Sequence, residues 1–132
     1  MAFNPKQKIL IMDDMSTMRK IIKNMLGKMG CSDLTEADDG KPAWQMIQDA
    51  HENGVPFEFI VSDWNMPQMT GLDLLKNLRS DERFKKLPFL MITAEAEQSN
   101  VVIAVKAGVS NFIVKPFSIV TLKEKIDKVF PG

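Results

Sequence analysis

Short runs of consecutive apolar residues alternate along the chain with longer stretches whose apolar residues recur every three or four positions. The runs at 8–12, 34–37, 57–62, 88–92 and 111–114 predict five strands, and several lack the polar alternation of a half-exposed strand, which predicts cover on both faces. Met18, Ile21, Ile22, Met25, Leu26 and Met29 outline one face of a first helix, with Gly30 as its stop. Trp44, Ile47 and Ala50 mark a second helix whose first turn suits Pro42. Leu72, Leu74, Leu75 and Leu78 mark a third, and Val120, Leu122, Ile126 and Val129 a fifth. The fourth segment is ambiguous by propensity, because Val101, Val102, Ile103 and Val105 are β-branched; its length over 98–107 and the stop at Gly108 predict a helix.

Strict strand–helix alternation implies a parallel sheet with helices on both faces, and right-handed crossovers narrow the choice to an open, doubly wound α/β fold. Ligands of such folds sit beyond the carboxyl ends of the strands. The residues at those ends are Asp13 and Asp14 after the first strand, Asp63 after the third, Thr93 after the fourth and Lys115 after the fifth. All are polar, and all are predicted to share one rim.

Composition narrows the function classes. The 132 residues, 45% of them hydrophobic, suit one domain spanning 1–132 with one core, uninterrupted by linker or repeat. Seventeen basic residues balance 17 acidic ones with no concentrated Lys/Arg stretch, which argues against nucleic-acid binding. No apolar run approaches the length of a membrane span, and the N-terminus lacks the apolar region of a signal peptide. Cys31 is the single cysteine, beside a predicted turn, and is expected to be inert; the pattern fits a reducing cytoplasm. His51 reads as a solvated helix end, and the ten methionines read as adaptable core, with Met66 and Met69 on the loop after Asp63.

Each rim residue also has an ordinary structural reading. An acidic pair between strand and helix serves as a capping turn, Thr93 as a cap, Lys115 as a solvated charge, and Asp63 as part of a turn rich in Asn, Pro and Gly. That four strand ends all carry residues suited to phosphoryl chemistry outweighs these readings taken together. The phosphate loop GxxxxGK[ST] and the dinucleotide fingerprint GxGxxG are both absent from the sequence.

The segments "IMDDMSTMRK", "VSDWNMPQMTGLDLLK", "LMITAEA" and "VKPF" closely resemble the receiver domain of two-component response regulators, in particular the single-domain chemotaxis regulators, over essentially the whole chain. The resemblance implies a flavodoxin-like sheet of order 2-1-3-4-5, which makes the first and third strands neighbours and brings Asp13 and Asp14 to Asp63. Three clustered carboxylates without Cys or His suit Mg²⁺. By resemblance, Asp14 and Asp63 bind the ion directly, the backbone carbonyl of Asn65 adds a ligand, and Asp13 acts through water. Asp63 is the implied phosphoacceptor, with the Thr93 hydroxyl and the Lys115 ammonium around the phosphoryl group.

The same resemblance implies a switch. Thr93 moves toward the phosphoryl group, the aromatic at Phe112 turns inward, and the face of the fourth helix, fifth strand and fifth helix changes its partner preference. Chemotaxis regulators commonly have Tyr where this chain has Phe112; the Tyr hydroxyl needs a partner near the backbone of Glu95, whereas Phe112 does not, so an inward or two-position ring is expected before phosphorylation. The implied partners are a sensor histidine kinase, the flagellar motor switch and a phosphatase, the implied state a cytoplasmic monomer, and the Lys115–Pro116 bond is expected to be cis. Such a protein is not an enzyme acting on an external substrate, although it catalyses its own phosphorylation and dephosphorylation. A phosphorelay intermediate or phosphate sink would share these residues. A Mg²⁺-dependent aspartyl phosphatase is the nearest rival of another class, but it places a second acid two residues after its nucleophile, where this chain has Asn65.

Overall fold

Three central strands consist entirely of buried residues, and this sets the architecture. In the computed structural model, which describes residues 3–94 and 98–131, the chain runs β1 (Ile9–Met12), α1 (Ser16–Lys28), β2 (Leu34–Ala37), α2 (Gly40–Glu52), β3 (Phe59–Asp63), α3 (Gly71–Arg79), β4 (Phe89–Thr93), α4 (Gln98–Lys106), β5 (Asn111–Val114) and α5 (Ile119–Val129). The strands form one parallel sheet in the order β2-β1-β3-β4-β5. This is the doubly wound arrangement that the sequence predicts. The two edge strands, β2 and β5, are only partly buried.

Alternate side chains of each strand point to opposite faces, so the apolar runs feed two cores. Leu10, Met12, Ile60 and Met91 meet Ala43 and Ile47 of α2 and Leu74, Leu75 and Leu78 of α3. Ile9, Ile11, Val61 and Ile92 meet Ile22 and Leu26 of α1 and Leu122 and Ile126 of α5. A strand with apolar residues at every position is what a sheet sandwiched between two helical layers requires.

Element ends differ from the sequence expectation in an instructive way. Asp63 and Thr93 are the last residues of β3 and β4 rather than the first residues beyond them. Lys8, Phe57 and Pro88 fall outside the strands that begin at Ile9, Phe59 and Phe89. The predicted helical stripes are also wider than the buried ones: Ile21 is 40% exposed and Val120 63% exposed, leaving Ile22 and Leu26, and Leu122 and Ile126, as the buried residues of their helices. The β-branched fourth segment is helical, and Gly108, at φ +95°, follows it as Gly30, at φ +93°, follows α1. Left-handed backbone of this kind favours glycine because it has no Cβ. The Lys115–Pro116 bond is cis. His51 is exposed as expected, yet its ring lies edge-on to Phe84 with centroids 5.3 Å apart.

Gly27 lies inside α1, exposed, with nothing within 4 Å of the position a Cβ would take. Gly27→Ala is therefore expected to stabilise the protein by about 0.5–1 kcal/mol, by restricting the unfolded chain without crowding the folded one. Urea denaturation with an unchanged slope and a higher midpoint is the expected result; an unchanged midpoint would count against it.

Candidate functional site

The register places the acidic residues together. Met12 pairs with Ser62 across β1 and β3, so Asp13, just past β1, stands beside Asp63, the last residue of β3. Asp13 is 0% exposed and Asp63 6%, while Asp14 faces solvent. One carboxylate oxygen from each of the three lies within 4.8 Å of the others. On the other side of β3, Asp63 pairs with Ile92, and Thr93 in turn pairs with Val114 of β5. Thr93 is buried, and its carbonyl accepts a hydrogen bond from the Lys115 backbone N–H at 2.7 Å.

Lys115 then reaches back across the rim. Its Nζ stands 3.1 Å from Asp13 Oδ2 and 3.3 Å from Asp63 Oδ1. Asp63 Oδ1 also accepts from the Trp64 backbone N–H at 2.9 Å. Burial, followed by the Asp13 charge, pushes the Asp63 carboxyl above its ordinary pKa despite Lys115 and the Trp64 N–H. Burial acts to lower the Lys115 ammonium, but its hydrogen bond to Asp13 and the charges of Asp63 and Asp13 raise it overall. The centre is a carboxylate pair held by one partly desolvated cation.

The capping reading of the aspartate pair holds only for the turn bond that Asp13 accepts, not for the helix itself. Met15, not an aspartate, is the N-cap residue of α1, and no side chain caps that helix. Asp13 instead turns its Oδ1 to the Met15 N–H at 2.9 Å and its Oδ2 to Lys115. Gly71 shows a second backbone constraint, since a Cβ there would overlap the Asp63 carbonyl oxygen and sit 3.0 Å from Ser62 Oγ. This glycine is required by the close approach of α3 to the end of β3.

Two contributors escaped the sequence reading. Arg19 Nη1 donates to the Asp13 carbonyl at 2.6 Å while its Nε pairs with Glu36 Oε1 at 3.0 Å, fastening the β1–α1 turn to edge strand β2. No local motif announces it, because the contact depends on Ile11 pairing with Glu36 across the sheet. Asp39 is the other, and it acts on the loop after β3. Asn65, on that loop, is exposed beside the cluster's chain segment. Phe112 is half-buried, lines a small cavity with Trp64, Met91, Thr93 and Ala104, and has the Lys125 Nζ 5.3 Å from its ring centroid. Glu95, the expected reference point for a Tyr hydroxyl at 112, lies outside the described residues.

The sequence pattern of the response regulator receiver domain matches residues 9–127. The chain belongs to that family. Among curated relatives of this receiver domain, chemotaxis protein CheY-3 of Vibrio cholerae is 54% identical over 127 residues, covering 96% of this chain and 94% of its own. Among solved structures, chemotaxis response regulator CheY4 of Vibrio cholerae superposes with a TM-score of 0.83 at 31% identity, covering 95% of this receiver domain and 99% of its own chain. The receiver domain of the sensor histidine kinase PA1611 from Pseudomonas aeruginosa shares the fold, with a TM-score of 0.82 at 23% identity over 96% of this chain and 99% of its own; that protein is described with a magnesium ion in its active-site cleft. Receiver domains of chemotaxis regulators work in phosphorylation-activated signalling and are not enzymes in the ordinary sense. Among the described residues of this one, no helix is long and apolar enough to cross a membrane.

Proposed function

We propose that this receiver domain accepts a phosphoryl group on Asp63 from a phosphohistidine of a sensor kinase, with Mg²⁺, and then binds an output partner, the flagellar motor switch. The observation that carries this reading is the Lys115 ammonium set between Asp13 and Asp63, 3.1 and 3.3 Å away, on the rim that also holds Thr93. A cation, a hydroxyl and a nucleophilic carboxylate at one edge of the sheet are the groups that phosphoryl transfer needs.

The donor set fits a hard divalent cation. It is all oxygen, it contains no Cys or His, and Asp14 is open to water, which suits an ion that keeps several of its own waters. Asp14, Asp63 and the Asn65 backbone carbonyl would hold Mg²⁺, with Asp13 acting through water. When bound, the ion supplies charge neutralisation between the carboxylates and the incoming anion.

The protein's own groups do the rest. The Trp64 N–H and Lys115 fix the Asp63 carboxylate through Oδ1, and the second oxygen attacks phosphorus. The new P–O bond forms as the P–N bond to the donor imidazole breaks, and the imidazole leaves carrying a proton. Thr93 and Lys115 then hold the equatorial oxygens of the acyl phosphate. Water later attacks phosphorus, releasing inorganic phosphate and restoring the carboxylate. A dedicated phosphatase would hasten that step, and the protein acts as a cytoplasmic monomer.

Phe112 is the proposed switch aromatic, since its ring borders the same small cavity as Thr93 and Ala104, linking the rim to α4 and β5. Movement of Thr93 toward a phosphoryl group changes the space available to that ring. The apolar residues left exposed on α4, Val102, Ile103 and Val105, lie on the proposed output face.

Trp64, adjacent to Asp63, supplies the direct test. Mg²⁺ titration is expected to change tryptophan emission in the wild type, with Trp44, packed edge-on against Phe84, as a constant background. In Asp14→Asn the apparent affinity is expected to fall by at least about tenfold, the scale on which even outer groups of a metal site act. Equal responses in the two proteins would remove Asp14 from the site.

A further inference from the structure

Asp39 is 6% exposed and ends the β2–α2 turn. As the N-cap of α2 its Oδ2 accepts from the Lys41 N–H at 3.0 Å, which is an ordinary capping bond. The rest of its contacts go elsewhere. Oδ1 accepts from the Gln68 N–H at 2.9 Å, and Oδ2 from the Met69 N–H at 3.2 Å. The Gly40 N–H returns a bond to the Met69 carbonyl at 3.1 Å. One carboxylate thus ties two successive amides of a loop about thirty positions later, and the adjoining glycine ties the next carbonyl.

The loop so held spans 64–70 and carries Asn65. Its two ends are fixed by the Trp64 N–H to the Ile92 carbonyl and by the Gly71 N–H to the Trp64 carbonyl, both at 2.9 Å. The arch between them rests on Asp39 and Gly40. Gly40 is also held to its size: a Cβ would stand 2.5 Å from the Met69 carbonyl oxygen and 2.9 Å from Met69 Cγ. A buried carboxylate that spends its acceptor capacity on backbone amides is a strong, directional anchor. Although burial opposes ionisation, these amides hold Asp39 below the ordinary carboxylate range.

We propose that Asp39 is a positioning residue for the metal-binding loop: through the Gln68 and Met69 amides it sets where the Asn65 carbonyl stands relative to Asp14 and Asp63, and so governs Mg²⁺ affinity without touching the ion. This rests on the Mg²⁺-dependent phosphorylation proposed above. It separates two functions of one side chain, capping α2 and holding the loop.

Asp39→Ser separates them experimentally, because serine caps helices well but is too short to span to both loop amides. Gly40→Ala is the second variant, pressing on the same contact from the α2 side and leaving the Asp39 carboxylate in place. Both are expected to remain folded by circular dichroism, to bind Mg²⁺ about tenfold more weakly by Trp64 emission, and to expose the Gln68 and Met69 amides to faster hydrogen exchange. With a small acyl-phosphate donor, the phosphorylation rate is expected to fall at subsaturating Mg²⁺ and recover at saturation, a split that loss of global stability would not produce. If Asp39→Ser binds Mg²⁺ as the wild type does, or if its phosphorylation stays low at saturating Mg²⁺, the positioning role is wrong. A wild type that neither responds to Mg²⁺ nor takes up phosphate would overturn the receiver chemistry itself, and that outcome is distinct from a responsive wild type matched by its variant.

Discussion

Asp63→Asn is expected to take up no phosphoryl group, from a kinase or from a small acyl-phosphate donor, while becoming more stable than the wild type in metal-free buffer. The first effect follows from chemistry, since an amide oxygen cannot form the acyl phosphate. The second follows from the site's electrostatics. Burial and the neighbouring Asp13 raise the pKa of Asp63, so its ionised form is held at a cost. A carboxyl raised in the folded state contributes stability that is complete below its unfolded pKa, about 3.9, and is lost as pH rises through the higher folded value. The advantage of Asp63→Asn is therefore near zero below about pH 4 and widest at neutral pH. Thermal melts across pH 3–8 in chelator, paired with intact-mass measurement after phosphorylation, test both halves. Phosphate found on another residue would displace Asp63 as acceptor, and a variant less stable at neutral pH would refute the electrostatic account.

Much of this site was legible because strand ends are punctuated by chemistry. The apolar runs announce β1, β3 and β4, and in a parallel sheet their carboxyl ends must share an edge, so Asp13, Asp63, Thr93 and Lys115 converge once the strand order is known. The order itself came from resemblance, because alternation alone does not say which strands are neighbours. Boundaries slipped where buried polar residues ended strands. Asp63 and Thr93 pair as strand residues, which a reading based on apolar runs excludes.

Arg19 and Asp39 were invisible for a different reason. Arg19 works through Glu36 on another strand, and Asp39 through the Gln68 and Met69 amides. Backbone amides carry no sequence identity, so a side chain that serves them leaves no motif. Gly71 and Gly40 illustrate the same limit. Each reads as an unremarkable helix start, whereas the structure needs the missing Cβ for close approach to the Asp63 and Met69 carbonyls. Residues that do chemistry carry their identity in the sequence; residues that position backbone emerge only from the fold.

Lys115→Met is expected to produce the largest loss of stability and the clearest dependence on Mg²⁺. The ammonium spans Asp13 and Asp63, and without it a fully buried carboxylate faces a second one with no cation between them. Breaking a buried ionic contact by removing one partner costs about 3–5 kcal/mol, which for a domain of this size lowers the melting temperature by roughly 10 °C or more in chelator. The remaining carboxylates respond by holding a proton more tightly, so the deficit is smallest in acid and grows toward neutral pH. Lys115 itself is raised in the folded state, so its contribution is complete below its unfolded pKa of about 10.4 and is lost only as pH climbs through the higher folded value. Mg²⁺ supplies the missing positive charge, and at about a hundredfold excess over its dissociation constant it returns about 2.7 kcal/mol. The variant is therefore expected to melt far below the wild type in chelator, to regain with Mg²⁺ most of the stability it lacks relative to the metal-free wild type, and still to accept a phosphoryl group on Asp63, since the nucleophile is intact. Equal melting of Lys115→Met and wild type in chelator at neutral pH would show that the ammonium does not hold the carboxylate pair, and a variant whose melting Mg²⁺ does not raise would show that the divalent cation does not supply the missing charge.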